Sequence, residues 1–294
     1  MDIRAYQLAA HQTEKKVFTD GSDVIVPILG LAGETGELLN EYKKKLRDGD
    51  AHKRFNERVA EELGDILWYV AATATKFGLD LDDIAQRNLH KTRARWGTAE
   101  GHSLPIPARA LDAGVPDGER FPRQFVADFR PFFENGAQKV RVLVDGVQMG
   151  DPLTDNSRTP DGYRFHDVFH LACTAVLGWS PVVRKLLGRK RRSQPELDEI
   201  EDGGRAIATE EGISALVFAY ARDHNWLEGV ASVDYDILKA IRIMTSSLES
   251  AVCTTGEWEC AILAAYDIWK QLQQNQGGKV ALDLDKATIT YAGL

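Results

Sequence analysis

GLAGETGELLNEYKKKLRDGDAHKRFNERVAEELGD, residues 30–65, carries two pairs of acids at one spacing. Glu34 and Glu37 lie three apart, and after 24 intervening residues Glu62 and Asp65 repeat the interval. On a helix, residues three apart share a face, with about 5–6 Å between their β-carbons. The apolar residues around the first pair (Leu29, Leu31, Leu38, Leu39) and the second (Val59, Leu63, Ile66, Leu67, Val70) recur at helical rather than alternating intervals. The pattern predicts two helices that turn four carboxylates into one cleft on the core side. Such charges repel unless a hard cation neutralises them, and oxygen-only ligands suit Mg²⁺ or Mn²⁺. Solvated acids on ordinary helices are the alternative that the pattern leaves open.

The whole chain sets the frame. Its 294 residues exceed the usual single domain and predict two. A hydrophobic content of 44% with 27% charged residues is that of a soluble globular protein with ample core. The net charge of −8 gives no general attraction to nucleic acid or anionic membrane, so neither is an expected partner. No apolar run is long enough to span a bilayer, and MDIRAYQLAAHQTEKK is charged too early for a secretory signal. Three dispersed cysteines suggest no disulfide framework, and the expected compartment is the cytoplasm.

Around the acid pairs, residues 1–97 read as a four-helix antiparallel bundle with its site in the core. The first helix, 2–19, would turn Ile3, Tyr6, Leu8, Ala9 and Val17 inward. The others span about 27–47, 52–77 and 81–96. Lys43, Lys44, Lys45 and Arg47 suit the negative end of the second helix as a solvated turn, with phosphate contact as the other use. Residues 98–120 hold prolines and no period, the mark of a linker or an irregular crossing segment. Residues 121–294 form the second domain, mostly α with a small β element. A hairpin is predicted from Lys139–Val144, an Asp145-Gly146 turn and Val147–Met149, and another in the tail KVALDLDKATITYAGL. Helices are predicted over Tyr163–Gly178, Pro195–His224, Tyr235–Ser250 and Glu257–Gln274. The chain as a whole is mainly α.

GLAGETGELLNE followed by EELGDILWYVA resembles the MazG-like, all-α nucleoside triphosphate pyrophosphohydrolases, and GETGEL is closest to the dCTP-pyrophosphatase-like branch with its GExGEL. Bacterial MazG proper carries one more Glu just before the first acid; here that place is Gly33. The resemblance covers the N-terminal third; no family is assigned to residues 121–294. It implies Mg²⁺-dependent hydrolysis of (d)NTPs between the α and β phosphates, with Glu34, Glu37, Glu62 and Asp65 as metal ligands and one of them, provisionally Glu37, accepting the proton of the attacking water. Asn88, Lys91 and Arg95 resemble the family's closing N-x-x-K-x-x-x-R-aromatic pattern and would contact the nucleotide. Trp68 and Tyr69 are candidates for base stacking, against the commoner use of such rings as core. A homo-oligomer, dimer or tetramer, is expected on the same ground.

A second constellation lies in GYRFHDVFHLA. His166 and His170 are four apart, the helical spacing that lets two imidazoles reach one metal, and Glu210 and Glu211 lie on a later predicted helix. A second, transition-metal site is one reading; histidines hydrogen-bonded to structural carboxylates is the other. The second position lacks the Glu of a zincin helix, which argues against a metalloprotease. Basic residues 185–192 precede SQPELDEIEDGG and read as a solvated or self-paired loop rather than a phosphate or RNA contact. Two rivals to the hydrolase remain: a nucleotide-binding sensor with the second domain as effector, and a bifunctional enzyme with a second His/Glu metal site.

Overall fold

A computed structural model describes residues 1–14, 24–96 and 109–294, with 90, 91 and 93–96 described by backbone alone. It divides into two compact units, Met1–Arg93 and Ala94–Leu294.

The first unit is all helix: α1 Ile3–Thr13, α2 Ile25–Asp48, α3 Phe55–Lys76 and α4 Leu81–Trp96, the last crossing the unit boundary. Asp2 caps α1 by accepting from the Ala5 N–H at 2.7 Å. Helices α2 and α3 run antiparallel, joined by a short turn at Gly49 whose φ is +56°. Gln7 ties α1 to the α3–α4 turn: its Nε2 donates to Leu79 O (2.9 Å) and its Oε1 accepts from Leu81 N (2.8 Å). Ala10, Ala71 and Leu81 form a small core, with Ile3, Tyr6, Trp68 and Val70 against it.

The inward stripes differ from expectation. Ala10 rather than Leu8 or Ala9 is the buried position of α1, and Val17 lies outside the described residues. Leu29, Leu39, Leu63 and Leu67, expected in the core, are exposed, Leu39 to 67%. The α2–α3 pair is too thin to cover both sides of its own apolar stripe.

The second unit is built on one antiparallel sheet. Its strands are β1 Gln124–Glu134, β2 Ala137–Val144, β3 Val147–Gln148, β4 Gly278–Asp283 and β5 Thr288–Gly293, in the order β3-β2-β1-β4-β5. Strand β1 alternates Phe125, Ala127 and Phe129 into the core. It pairs with β2 around the Asn135-Gly136 turn and with β4 in the register Phe125↔Leu282 and Ala127↔Val280. Both predicted hairpins are present. The strand β1 that joins them was not predicted.

Helices cover the sheet: α5 Asp167–Ala172, α6 Pro181–Leu186, α7 Pro195–Ile200, α8 Gly204–Asp223, α9 Tyr235–Met244 and α10 Thr255–Asn275. A π turn, Cys173–Leu177, extends α5 until Gly178 adopts φ +67°. Helix α10 starts on a Thr254/Glu257 capping box and buries Trp258, Ile262, Tyr266, Trp269 and Leu272. The single helix expected over Pro195–His224 is two, because Gly203 approaches the Glu199 carbonyl so closely that a Cβ there would lie 1.9 Å from it.

The basic run is held by partners at Arg189, on the Asp117 and Gly118 carbonyls, at Lys190, on Asp198, and at Arg191, while Lys185 and Arg192 are exposed. Arg191 is fully buried, forked onto Asp202 and Glu249. Arg184, next to the run, is equally buried; it reaches Asp112 and lies over the Phe121 ring. Asp112 and Arg109, the latter paired with Glu257 at 2.7 Å, fasten residues 109–120 to this unit, so that part of the expected linker is packed chain.

Candidate active site

Close helix approach sets up the first site. Gly30 on α2 faces the Tyr69 ring of α3, and a Cβ there would stand 2.1 Å from Tyr69 Cε1. One turn further along α2 comes Glu34, and one and two turns back along α3 come Asp65 and Glu62. Single oxygens of Glu34, Glu62 and Asp65 lie within 4.8 Å of one another. Glu37 stands outside that trio but its charge still acts on Glu62, and it accepts weakly from Asn40 Nδ2 at 3.4 Å. Burial, then the charges of Glu34, Asp65 and Glu37, push the Glu62 carboxyl above its ordinary value. Three hard oxygens gathered this closely fit a divalent cation of the Mg²⁺ type.

Other predicted residues fall as follows. Trp68 turns toward α1, its indole donating to Thr13 Oγ1 at 2.8 Å, and meets Tyr69 edge-on at 4.9 Å. Both rings are thus engaged in packing within the unit. Asn88 is exposed on α4. Lys91 and Arg95 are on the same helix, and their side chains lie outside the described residues. The cations closing α2 are held locally: Lys44 on Glu41, Lys45 on Gly49 O, and Arg47 on Asp48.

The sequence reading missed Glu41. Inside an acidic and basic surface run it is buried, accepting from Lys44 and from His52 Nε2 at 2.9 Å, and so it clamps the α2–α3 turn.

In the second unit the predicted histidines and acids do meet. His170, on α5, is wholly buried with Nδ1 2.9 Å from Glu210 Oε1 of α8. Glu210 is itself held by Ser180 Oγ (2.7 Å) and the Val182 N–H (2.9 Å). Nothing but a Ser-Pro N-cap signal marks Ser180 in the sequence. Burial would lower the His170 pKa, but the charge and hydrogen bond of Glu210, with Glu211 and Asp167, raise it to about 10. His166 is pushed the other way, chiefly by burial.

Helices bearing GETGEL and EELGD define a class, the all-α nucleotide pyrophosphohydrolases. Residues 27–98 match the family model of the MazG nucleotide pyrophosphohydrolase domain, and residues 106–294 match that of the MazG C-terminal domain. The chain belongs to the MazG family. It is a hydrolase acting on the phosphoric anhydride bonds of nucleoside triphosphates, in a family whose members generally depend on a divalent metal. The second half, assigned to no family from its motifs, is thus a MazG C-terminal domain. The chain is also similar to the Gene 37 protein of Mycobacterium phage L5, 37% identical over 101 residues, which is 32% of this chain and 89% of that protein. No solved structure matches. Among the described residues, no helix is long and apolar enough to cross a membrane.

Proposed function

We propose that the chain hydrolyses (d)NTPs between the α and β phosphates, with Mg²⁺ as the working ion and Mn²⁺ as a substitute, giving a nucleoside monophosphate and pyrophosphate. The observation that carries this is the convergence of Glu34, Glu62 and Asp65 from two helices. Bound there, Mg²⁺ offsets triphosphate charge and polarises the phosphorus under attack. Glu34, Glu62 and Asp65 bind the ion. Glu37, beside the trio, accepts the proton of the attacking water. Lys91, Arg95 and Asn88, following the family pattern, hold the nucleotide from α4. Hydrolysis belongs to residues 1–97, and the second domain takes in residues 109–120 together with 121–294. The exposed leucines of α2 and α3 support a homo-oligomer in which a second copy covers them.

The test is pyrophosphate release from a panel of canonical and modified NTPs and dNTPs with Mg²⁺, wild type beside Glu62→Gln and Asp65→Asn. Release by wild type and its loss in both variants is the expected result. No release from any member, with nucleotide binding still measurable, would overturn the reading in favour of a nucleotide sensor.

A further inference from the structure

His166 and His170 are aimed, not merely buried. The His166 Nδ1 lies 2.8 Å from the Tyr163 carbonyl oxygen, which can only accept, so that nitrogen carries a proton and Nε2 keeps the lone pair. Tyr163 also stacks on the ring, with centroids 4.2 Å apart and planes 7° from parallel, and fixes its plane. On His170, Nδ1 is committed to Glu210, which in turn is committed to Ser180 and the Val182 N–H. That chain of contacts has the form of the carboxylate–histidine support found behind metal-binding imidazoles.

The far nitrogens then face one another. His170 Nε2 is a buried nitrogen with no hydrogen-bond partner among the described residues; the nearest carboxylate oxygen, Glu211 Oε2, stands at 3.6 Å. His166 Nε2, His170 Nε2 and a Glu211 oxygen lie within 4.8 Å of one another. Most buried histidine nitrogens are hydrogen-bonded; here Glu210 satisfies one side of the ring, and the other faces Glu211 at 3.6 Å, beyond hydrogen-bond reach. Glu211 is 45% exposed at its side chain and opens onto a cavity of about 230 Å³ lined also by Asp151, Thr154, Asn156, Asp167 and Lys185.

We propose that His166 Nε2, His170 Nε2 and Glu211 bind one divalent transition-metal ion of the Zn²⁺ class, separate from the oxygen-only site of the first unit. Two imidazoles and one carboxylate select such an ion over Mg²⁺. Three protein ligands with a polar cavity on the fourth side is the arrangement of an open site, completed by water or a small oxyanion. Binding replaces whatever proton His170 Nε2 carries, and that proton leaves to solvent.

The test uses Co²⁺ as probe on the whole chain, read by its visible absorption and by equilibrium dialysis. Nitrogen ligands in a four- or five-coordinate site give Co²⁺ an intense visible band that an all-oxygen site lacks. The expected result is one such ion per chain, kept in Glu62→Gln and weakened by at least about tenfold in His166→Gln and in Glu211→Gln. Glu211→Gln alters a half-exposed side chain, and unchanged circular dichroism shows that its fold is kept. Displacement of the band by Zn²⁺ and not by excess Mg²⁺ supports the same assignment. Absence of the band in wild type, or a band unchanged in His166→Gln and Glu211→Gln, would overturn it. Since Glu62→Gln removes only the first site, failure here and failure of the hydrolase reading are separate results.

Discussion

The Tyr69 ring of α3 occupies the space where Gly30 of α2 would carry a side chain, 2.1 Å from an ideal Cβ. Alanine is the better helix former by about 1 kcal/mol, so Gly30→Ala would stabilise α2 were it isolated. Here the aromatic ring must move by more than an ångström, and overpacking of that kind costs about 1–3 kcal/mol. The expected outcome is a lower melting temperature together with weaker pyrophosphate release, because Glu34 sits one turn beyond. Pairing Gly30→Ala with Tyr69→Leu should recover much of the stability. A Gly30→Ala chain that melts at or above wild type would refute the contact.

Glu62 is the most crowded of the site acids. Glu62→Gln removes one ligand charge while keeping its shape. If that ligand contributes about 3 kcal/mol to the transition state, turnover falls roughly 100-fold. Raising Mg²⁺ should restore part of the loss if affinity is what suffers. Chelation of wild type by EDTA should abolish release, and added Mg²⁺ should return it. Full activity in EDTA would remove the metal from the reaction.

Glu41 links stability to pH. Hydrogen bonds from Lys44 and then His52 hold its carboxyl below the ordinary value. A depressed carboxylate contributes stability that is present above the unfolded-state value, near 4.5, and lost as pH falls through its folded value. Wild type should therefore exceed Glu41→Gln in melting temperature at neutral pH, and the gap should close on acidification below that range. A gap that stays constant down to pH 3 would contradict the assignment.

Arg191 is buried between Asp202 and Glu249. Arg191→Met leaves those carboxylates without their fork, and breaking one partner of a buried pair costs about 3–5 kcal/mol. Urea denaturation would show it as a lowered midpoint. Arg191→Met combined with Asp202→Leu should lose less than the sum of the two single losses, since each single change strands the other buried charge. Additive losses would mean that the pair is not coupled.

Legibility tracked locality. Helical spacing alone puts Glu34 with Glu37 and Glu62 with Asp65 on one face each, but which of the four converge was not readable from it: Glu34, Glu62 and Asp65 do, and Glu37 stands outside. The hairpin at Asp145-Gly146 was readable from its turn residues, which take φ of +52° and +78°. The Asn135-Gly136 turn carries the same signal, at +53° and +77°, so β1 was open to a local reading that Pro131 obscured. Pairing of β1 with β4 was not, since nothing in either strand names a partner so distant. Nor could spacing show that Leu29 and Leu63 lie uncovered while Glu41 is buried. That outcome depends on how thin the α2–α3 pair is and on where His52 lands.

Gln124 and Asp283 are 159 positions apart, yet they share a rung of the sheet. During synthesis at about 5–20 residues per second, β1 leaves the ribosome roughly 8–30 s before β4 exists. Through that interval the β2 side of β1 can close at once, while its other edge presents unpaired backbone to whatever chain is near. The exposed side chains of Gln124 and Arg130 and the half-buried Asp128, with Pro131 one position further on, put polarity and a missing N–H along that waiting strand. Its charge is as much a provision for the half-made protein as for the finished one.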